Sequence, residues 1–173
     1  MQTTEKTESA RPVVKETFEE LELEFTDNKL EKVVLDTVAV LRLIKDCMDA
    51  QPDISTGTLL GLDNGSTLEV TNSYPIPLVD ADPETEGENS EDSFSETVLR
   101  CYREANIDTT EVGWYTTSYG DSVFLAPETV SAQYDWQKRN PKSVMLVFDP
   151  FRTVLEGTCG SRPLALHAYR LTP

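Results

Sequence analysis

Val112–Gln137 reads VGWYTTSYGDSVFLAPETVSAQYDWQ. Its first part, Val112–Tyr115, is a short apolar and aromatic run that suits a buried strand. Tyr119, Gly120 and Asp121 break the run. Pro127 and Glu128 then open a periodic segment. Proline at the first helical position gives up only an N–H that would be unpaired anyway, and an acid in the first turn faces the positive helix end. The stretch therefore reads as strand, exposed loop and helix start. Rigid elements at such a junction hold a loop out to solvent, where functional groups are commonly placed.

Outward from this stretch, strands and helices interleave. Lys32–Leu35 reads as a first strand. Asp36 or Thr37 can cap the helix that follows, since a short side chain there accepts from free N–H groups. Val40, Leu41, Ile44, Cys47 and Met48 form an apolar stripe at helical period. Thr56–Asp63 and Thr67–Pro77 read as a hairpin joined at Asn64-Gly65, two residues that tolerate positive φ. Phe94–Ala105 reads as a helix with Phe94, Val98, Cys101, Tyr102 and Ala105 on one face, and Pro127–Lys138 as another. Thr110–Tyr115 reads as a strand, as does the almost wholly apolar Ser143–Phe148, which suits a strand covered on both faces. Phe151–Leu155 and Leu164–Tyr169 complete the expected strands, separated by a turn over Gly157–Ser161. Strands interleaved with about three helices predict an α/β or α+β sheet with helices on its faces.

The ordered domain is expected over 32–173. Residues 1–31 read as a solvated, partly disordered acidic arm; within it Phe18, Leu21 and Phe25 recur at helical spacing in VVKETFEELELEF, and the alternative reading is a short amphipathic helix that docks on the domain or on a partner. Residues 79–92 read as an acidic, flexible insertion.

The formal net charge is −16, from 31 acidic and 15 basic residues. Such a chain is repelled by nucleic-acid backbones and anionic membranes, so strong direct nucleic-acid binding is not expected. Lys138, Arg139 and Lys142 are the one basic cluster. No apolar run approaches the ~20 residues that span a bilayer, and Met1–Ala10 is polar, unlike a signal peptide. Cys47, Cys101 and Cys159 show no C-x-x-C spacing and read as reduced thiols. Cys159 and His167 have no evident orienting acid, and a nucleophile needs its base within hydrogen-bond reach.

Gly113, Trp114, Tyr115 and Gly120 stand where the zinc-dependent members of the MPN (JAB1/MPN/Mov34) family carry a GWYHSHPG-like run, and the stretch resembles that family. The resemblance implies an MPN/JAMM-like mixed β-sheet. In the zinc-dependent members two histidines, then a serine and an aspartate, build the site, and an upstream glutamate is the general base. Here the histidine positions fall on Thr116 and Ser118, the serine position on Ala126, the aspartate position on Thr129 and the glutamate position on Ile54. Catalytic zinc takes three side-chain ligands from His, Cys, Asp or Glu, and these residues supply none. The resemblance thus implies the fold without catalysis, metal or cofactor. Trp114 is expected in the core and Tyr115 at the mouth of the degenerate site.

The segments LLGLDNGSTLEVTNSYPIP, ANIDTTEVGWY, SVMLVFDP and AYRLTP narrow the resemblance to the MPN subunits of eukaryotic translation initiation factor 3. That implies a cytoplasmic scaffold subunit that pairs with a second MPN subunit (the f subunit), joins other subunits of the factor, and meets the small ribosomal subunit through the complex. It also implies long helices beyond the last strand, which this sequence does not contain. Flanking helices of one domain leave apolar faces uncovered, so Met48, Val98, Leu99 and Tyr102 are candidate interface residues. Two alternatives have less in the sequence behind them: an inactive module reading ubiquitin or RNA through the degenerate site, and a zinc isopeptidase.

Overall fold

Lys32–Leu35 forms β1, and the Asp36 carboxylate then accepts from the Val38 N–H, capping α1 (Thr37–Asp49). The remaining elements are β2 (Thr56–Asn64), β3 (Thr67–Pro75), α2 (Ser90–Glu104), β4 (Glu111–Thr117), α3 (Pro127–Arg139), β5 (Val144–Phe148), α4 (Pro150–Glu156) and β6 (Leu166–Tyr169). The computed structural model describes residues 30–77, 90–119, 126–156 and 164–172. One six-stranded mixed sheet runs β1-β3-β2-β4-β5-β6, with β1–β3 and β4–β5 parallel and the other pairs antiparallel. The expected α/β class and mixed sheet are found, with four helices among the described residues against about three expected.

Both faces of the sheet are covered. On one, Ala39, Leu43 and Cys47 of α1 pack on Leu59, Val70, Tyr115, Leu146 and Phe148. On the other, Ala132 and Trp136 of α3 cover Trp114, Met145 and Val147. A fully buried side chain such as Leu43 contributes ~1.5–3 kcal/mol. All of β5 is buried, which explains its unbroken apolar run. A register slip leaves Val112 without a Cα partner on β2, so Val112 and Tyr115 reach the same core although they are three residues apart.

Several expectations are corrected. The buried face of α1 is Ala39–Leu43–Cys47, and Leu41 and Met48, expected in the stripe, are 61% and 44% exposed. Phe151–Leu155 is not a strand but most of α4. Asp149 starts that helix by accepting from the Arg152 N–H at 2.9 Å, and Pro150 takes the first helical position. Helix α2 begins at Ser90, so the last three residues of the expected insertion are helical. Leu30 and Glu31, assigned to the arm, join the folded body: Leu30 packs on the core, and the Glu31 N–H bonds the Ser66 carbonyl at 2.9 Å. The rest of the arm, most of the insertion, the 157–163 turn and Cys159 lie outside the described residues. Burial pushes the Cys47 thiol up to about 12, while Cys101 is exposed.

Candidate functional site

The start of β2, the end of β4 and the first turn of α3 meet at one end of the sheet. Between them lies an open hollow of about 250 Å³, lined by Ile54, Thr56, Trp114, Thr116, Thr117, Glu128, Thr129 and Ala132. The strand pairing builds its floor, because Thr56 lies opposite Thr116 and Thr58 opposite Trp114 in the β2–β4 ladder. The first turn of α3 supplies Glu128 and Thr129.

Three residues singled out from the sequence converge here. Ile54, Thr116 and Thr129 line the hollow, and Ile54 is 42% exposed. Two do not reach it. Ser118 is buried just beyond the strand, its N–H bonded to the Phe148 carbonyl at 2.9 Å. Ala126 is the residue before α3, and its methyl cannot cap the helix. Thr56, Thr117 and Glu128 were not singled out. Strand alternation was the available signal for Thr56 and the acid at the helix start for Glu128; Thr117, next to Thr116, had none, since alternation turns it to the other face.

Trp114 and Tyr115 divide differently from the expectation. Trp114 does pack in a core cluster, but it also forms a wall of the hollow. Its indole N–H donates to Gln133 Oε1 at 2.8 Å. Tyr115 is not at the mouth. It is fully buried under α1 on the opposite face, and its hydroxyl donates to Asp46 Oδ2 at 3.2 Å. Period-two alternation in a strand forces neighbours to opposite faces. Thr117 accepts from the Ser55 N–H at 2.8 Å, which fixes the strand ends that frame the hollow.

Burial raises the Asp46 carboxyl above the ordinary aspartate range, with the Tyr115 hydrogen bond opposing the shift. A raised folded-state pKa favours the protonated form in the fold. Its stabilising contribution is present below the ordinary value and is lost as pH rises through the folded value. Asp46→Asn keeps an acceptor for Tyr115 without the charge. Urea unfolding at about pH 4 and about pH 7 is expected to show the wild type losing stability relative to Asp46→Asn as pH rises.

The hollow offers four threonine hydroxyls and one carboxylate, Glu128. It has no imidazole and no thiolate, and among the described residues no group of three His, Cys, Asp or Glu is placed to hold a metal ion. The sequence between Tyr119 and Ala126 adds only Asp121 to the possible donors. The single histidine, His167, is on β6, beyond β5. These residues do not fit a catalytic zinc, which needs three protein ligands and an open position.

The family described as JAB1/Mov34/MPN/PAD-1 ubiquitin protease has a model that matches residues 28–142. The chain belongs to this MPN family. The matched span includes the MPN hollow, its floor strands and α3. Curated relatives share more of the chain. It is 40% identical over 157 residues to the H subunit of eukaryotic translation initiation factor 3 from Dictyostelium discoideum, covering 89% of the chain and 46% of that relative. It is 36% identical over 126 residues to the protein of that name from Arabidopsis thaliana, covering 73% and 36%. For the Neurospora crassa protein of that name the identity is 30% over 166 residues, covering 85% and 42%. The chain spans less than half the length of these relatives.

Proposed function

We propose that this chain is a non-catalytic MPN domain that serves as a pairing scaffold in translation initiation factor 3, in the cytoplasm. The observation that carries the reading is the donor set of the hollow: threonines, an isoleucine and a tryptophan stand around a single glutamate. The names of the relatives support membership of the factor. No described helix is long and apolar enough to cross a membrane.

The pairing partner is a second MPN subunit, the f subunit of the same factor. Contacts with other subunits and with the small ribosomal subunit follow through the complex. The proposed pairing face centres on α1. Val38, Leu41 and Met48 are 51%, 61% and 44% exposed at spacings of three and seven, which puts them on one stripe of the helix. Lys45 sits within that stripe, paired with Asp49. Helix α2 is a second candidate face. Val98, Leu99 and Tyr102 lie on it, and Tyr102 is edge-on to Tyr74 at 6.4 Å and accepts from Arg42 at 3.0 Å. Those contacts commit Tyr102 more to the fold than to a partner, so α1 is the better candidate.

The absence of catalysis is tested on the purified chain. Zinc by elemental analysis is expected at well below one equivalent, and ubiquitin chains are expected to stay intact with or without chelator. Stoichiometric zinc with chelator-sensitive cleavage would restore the isopeptidase reading.

A further inference from the structure

Among the described strands, β1 stands at one edge of the sheet and pairs only with β3. The Lys32 N–H bonds the Ser66 carbonyl at 3.2 Å, and the Asp36 N–H bonds the Val70 carbonyl at 2.8 Å. Successive residues of a strand turn their backbone groups to opposite sides. Lys32, Val34 and Asp36 therefore turn theirs to β3, and Val33 and Leu35 turn theirs to the open edge. The side chains of Val33 and Leu35 join the α1 core but stay half-buried, as do Leu30 and Ile44. Val34, on the other face, is exposed. An apolar edge strand is a ready template for a further strand, and the core under α1 is partly open to water on this flank.

The chain that leads into β1 carries a strand of the right pattern. Glu20–Phe25 reads ELELEF, so Leu21, Leu23 and Phe25 alternate with Glu20, Glu22 and Glu24. A helix would set Leu23 on the side opposite Leu21 and Phe25, whereas a strand sets all three on one face. Thr26–Leu30 (TDNKL) follows, and its Asp27 and Asn28 favour turns. The chain from Phe25 to Glu31 is thus the length of an ordinary hairpin loop.

We propose that Glu20–Phe25 folds back along the open edge of β1 as a further antiparallel strand, with Leu23 opposite Val33 and Leu21 opposite Leu35. In this register the outward N–H and carbonyl groups of Val33 and Leu35 bond those of Leu23 and Leu21. The two leucines extend the apolar face under α1. Glu22 and Glu24 fall on the other face, opposite Val34 and Lys32, with Glu24 across from the Lys32 ammonium. A slip of one residue would turn glutamates to the core and leucines to water, so the pattern fixes the register. The apolar edge is then covered by a strand of the same chain. The proposal does not rest on the scaffold reading.

Amide hydrogen exchange read residue by residue by NMR on the full chain tests it. In the wild type, the Val33 and Leu35 amides are expected to exchange at least about tenfold more slowly than those of an open edge. A nuclear Overhauser contact between the α-protons of Glu22 and Val34 is also expected, because that pair is of the close, non-hydrogen-bonded kind. Leu23→Pro removes the N–H that faces Val33. It is expected to speed exchange at Val33 and Leu35 about tenfold while Val34, turned to β3, changes much less. Leu23 lies outside the described fold, and Val34 reports whether the sheet itself holds. Val33 and Leu35 amides exchanging in the wild type at the rate of an unstructured peptide would overturn the proposal. So would protection that survives Leu23→Pro, or acceleration at Val34 equal to theirs. Protection that falls on dilution would put a second copy's strand on the edge and overturn pairing within one chain.

Discussion

Gly113→Ala is expected to cost at least about 3 kcal/mol of stability, which for a domain of this size lowers the melting temperature by roughly 6–12 °C. A Cβ at Gly113 would stand 2.0 Å from the Val144 carbonyl oxygen and 3.0 Å from the Val144 backbone carbon and nitrogen. All three atoms are backbone of the neighbouring strand, paired with Gly113 in the β4–β5 ladder. They cannot yield without parting that ladder. Gly113 also holds φ at +156°, which side chains rarely adopt. Gly65→Ala is the control. Gly65 sits at φ +71° with nothing within 4 Å of its added methyl, so only the left-handed backbone opposes the change, by about 1 kcal/mol. Thermal melts followed by circular dichroism separate the two, and equal shifts would refute the close-approach account of Gly113.

Gln133→Leu is expected to cost about 3–5 kcal/mol although it nearly conserves volume. Gln133 is fully buried and makes three side-chain hydrogen bonds: from Trp114 Nε1 at 2.8 Å, and to Gln137 Oε1 at 2.9 Å and the Ser143 carbonyl at 3.1 Å. A leucine there strands the indole N–H and the carbonyl in a dry site, each costing about 1–3 kcal/mol. Gln137→Leu is expected to cost less. Its partner in the tail, Leu171, has its N–H and carbonyl bonded to that side chain at 2.7 and 3.0 Å, but lies at the half-exposed edge. Urea unfolding followed by tryptophan fluorescence reads both variants. A Gln133→Leu cost under about 1 kcal/mol would mean the network is not what fixes α3 on the sheet.

Much of the fold was legible because its elements carry strong local signals. The Pro127–Glu128 helix start and the apolar run of β5 each point one way and are found as read; the hairpin is found with its loop one residue on, at Gly65-Ser66, because Asn64 still pairs with Thr67 and only Gly65 takes positive φ. β-rich Phe151–Leu155 reads as a strand, but Asp149-Pro150 before it starts a helix, the aspartate capping it and the proline taking its first position. The face of α1 was misread because Ala39 and Leu43 meet the sheet while Leu41 and Met48 face out. Apolar residues on both sides of a helix leave its inward side undecided by pattern alone.

The candidate site was legible in part for a similar reason. Ile54 precedes β2, Thr116 lies on β4 and Thr129 on α3, and only the positions of a zinc site draw them together in the sequence. Tyr115 was misplaced by adjacency to that site, when strand alternation turns it away into the α1 core. Its partner there, Asp46, is 69 residues distant in sequence. A contact that remote has no local signal. Gly57 is the nearest thing to one: its Cβ would meet the Tyr115 ring at 2.4 Å, so a glycine opposite a tyrosine marks where the ring lies across the strand.

The central claim is that this domain pairs with another MPN domain and does so through α1. Light-scattering mass on a sizing column measures it directly, with the chain alone, with the MPN domain of the f subunit, and with a Leu41→Asp variant that keeps its circular dichroism melt. A 1:1 heterodimer is expected with the wild type, and separate monomers with Leu41→Asp. Separate monomer peaks for the wild type, or a heterodimer undiminished by Leu41→Asp, would contradict the claim.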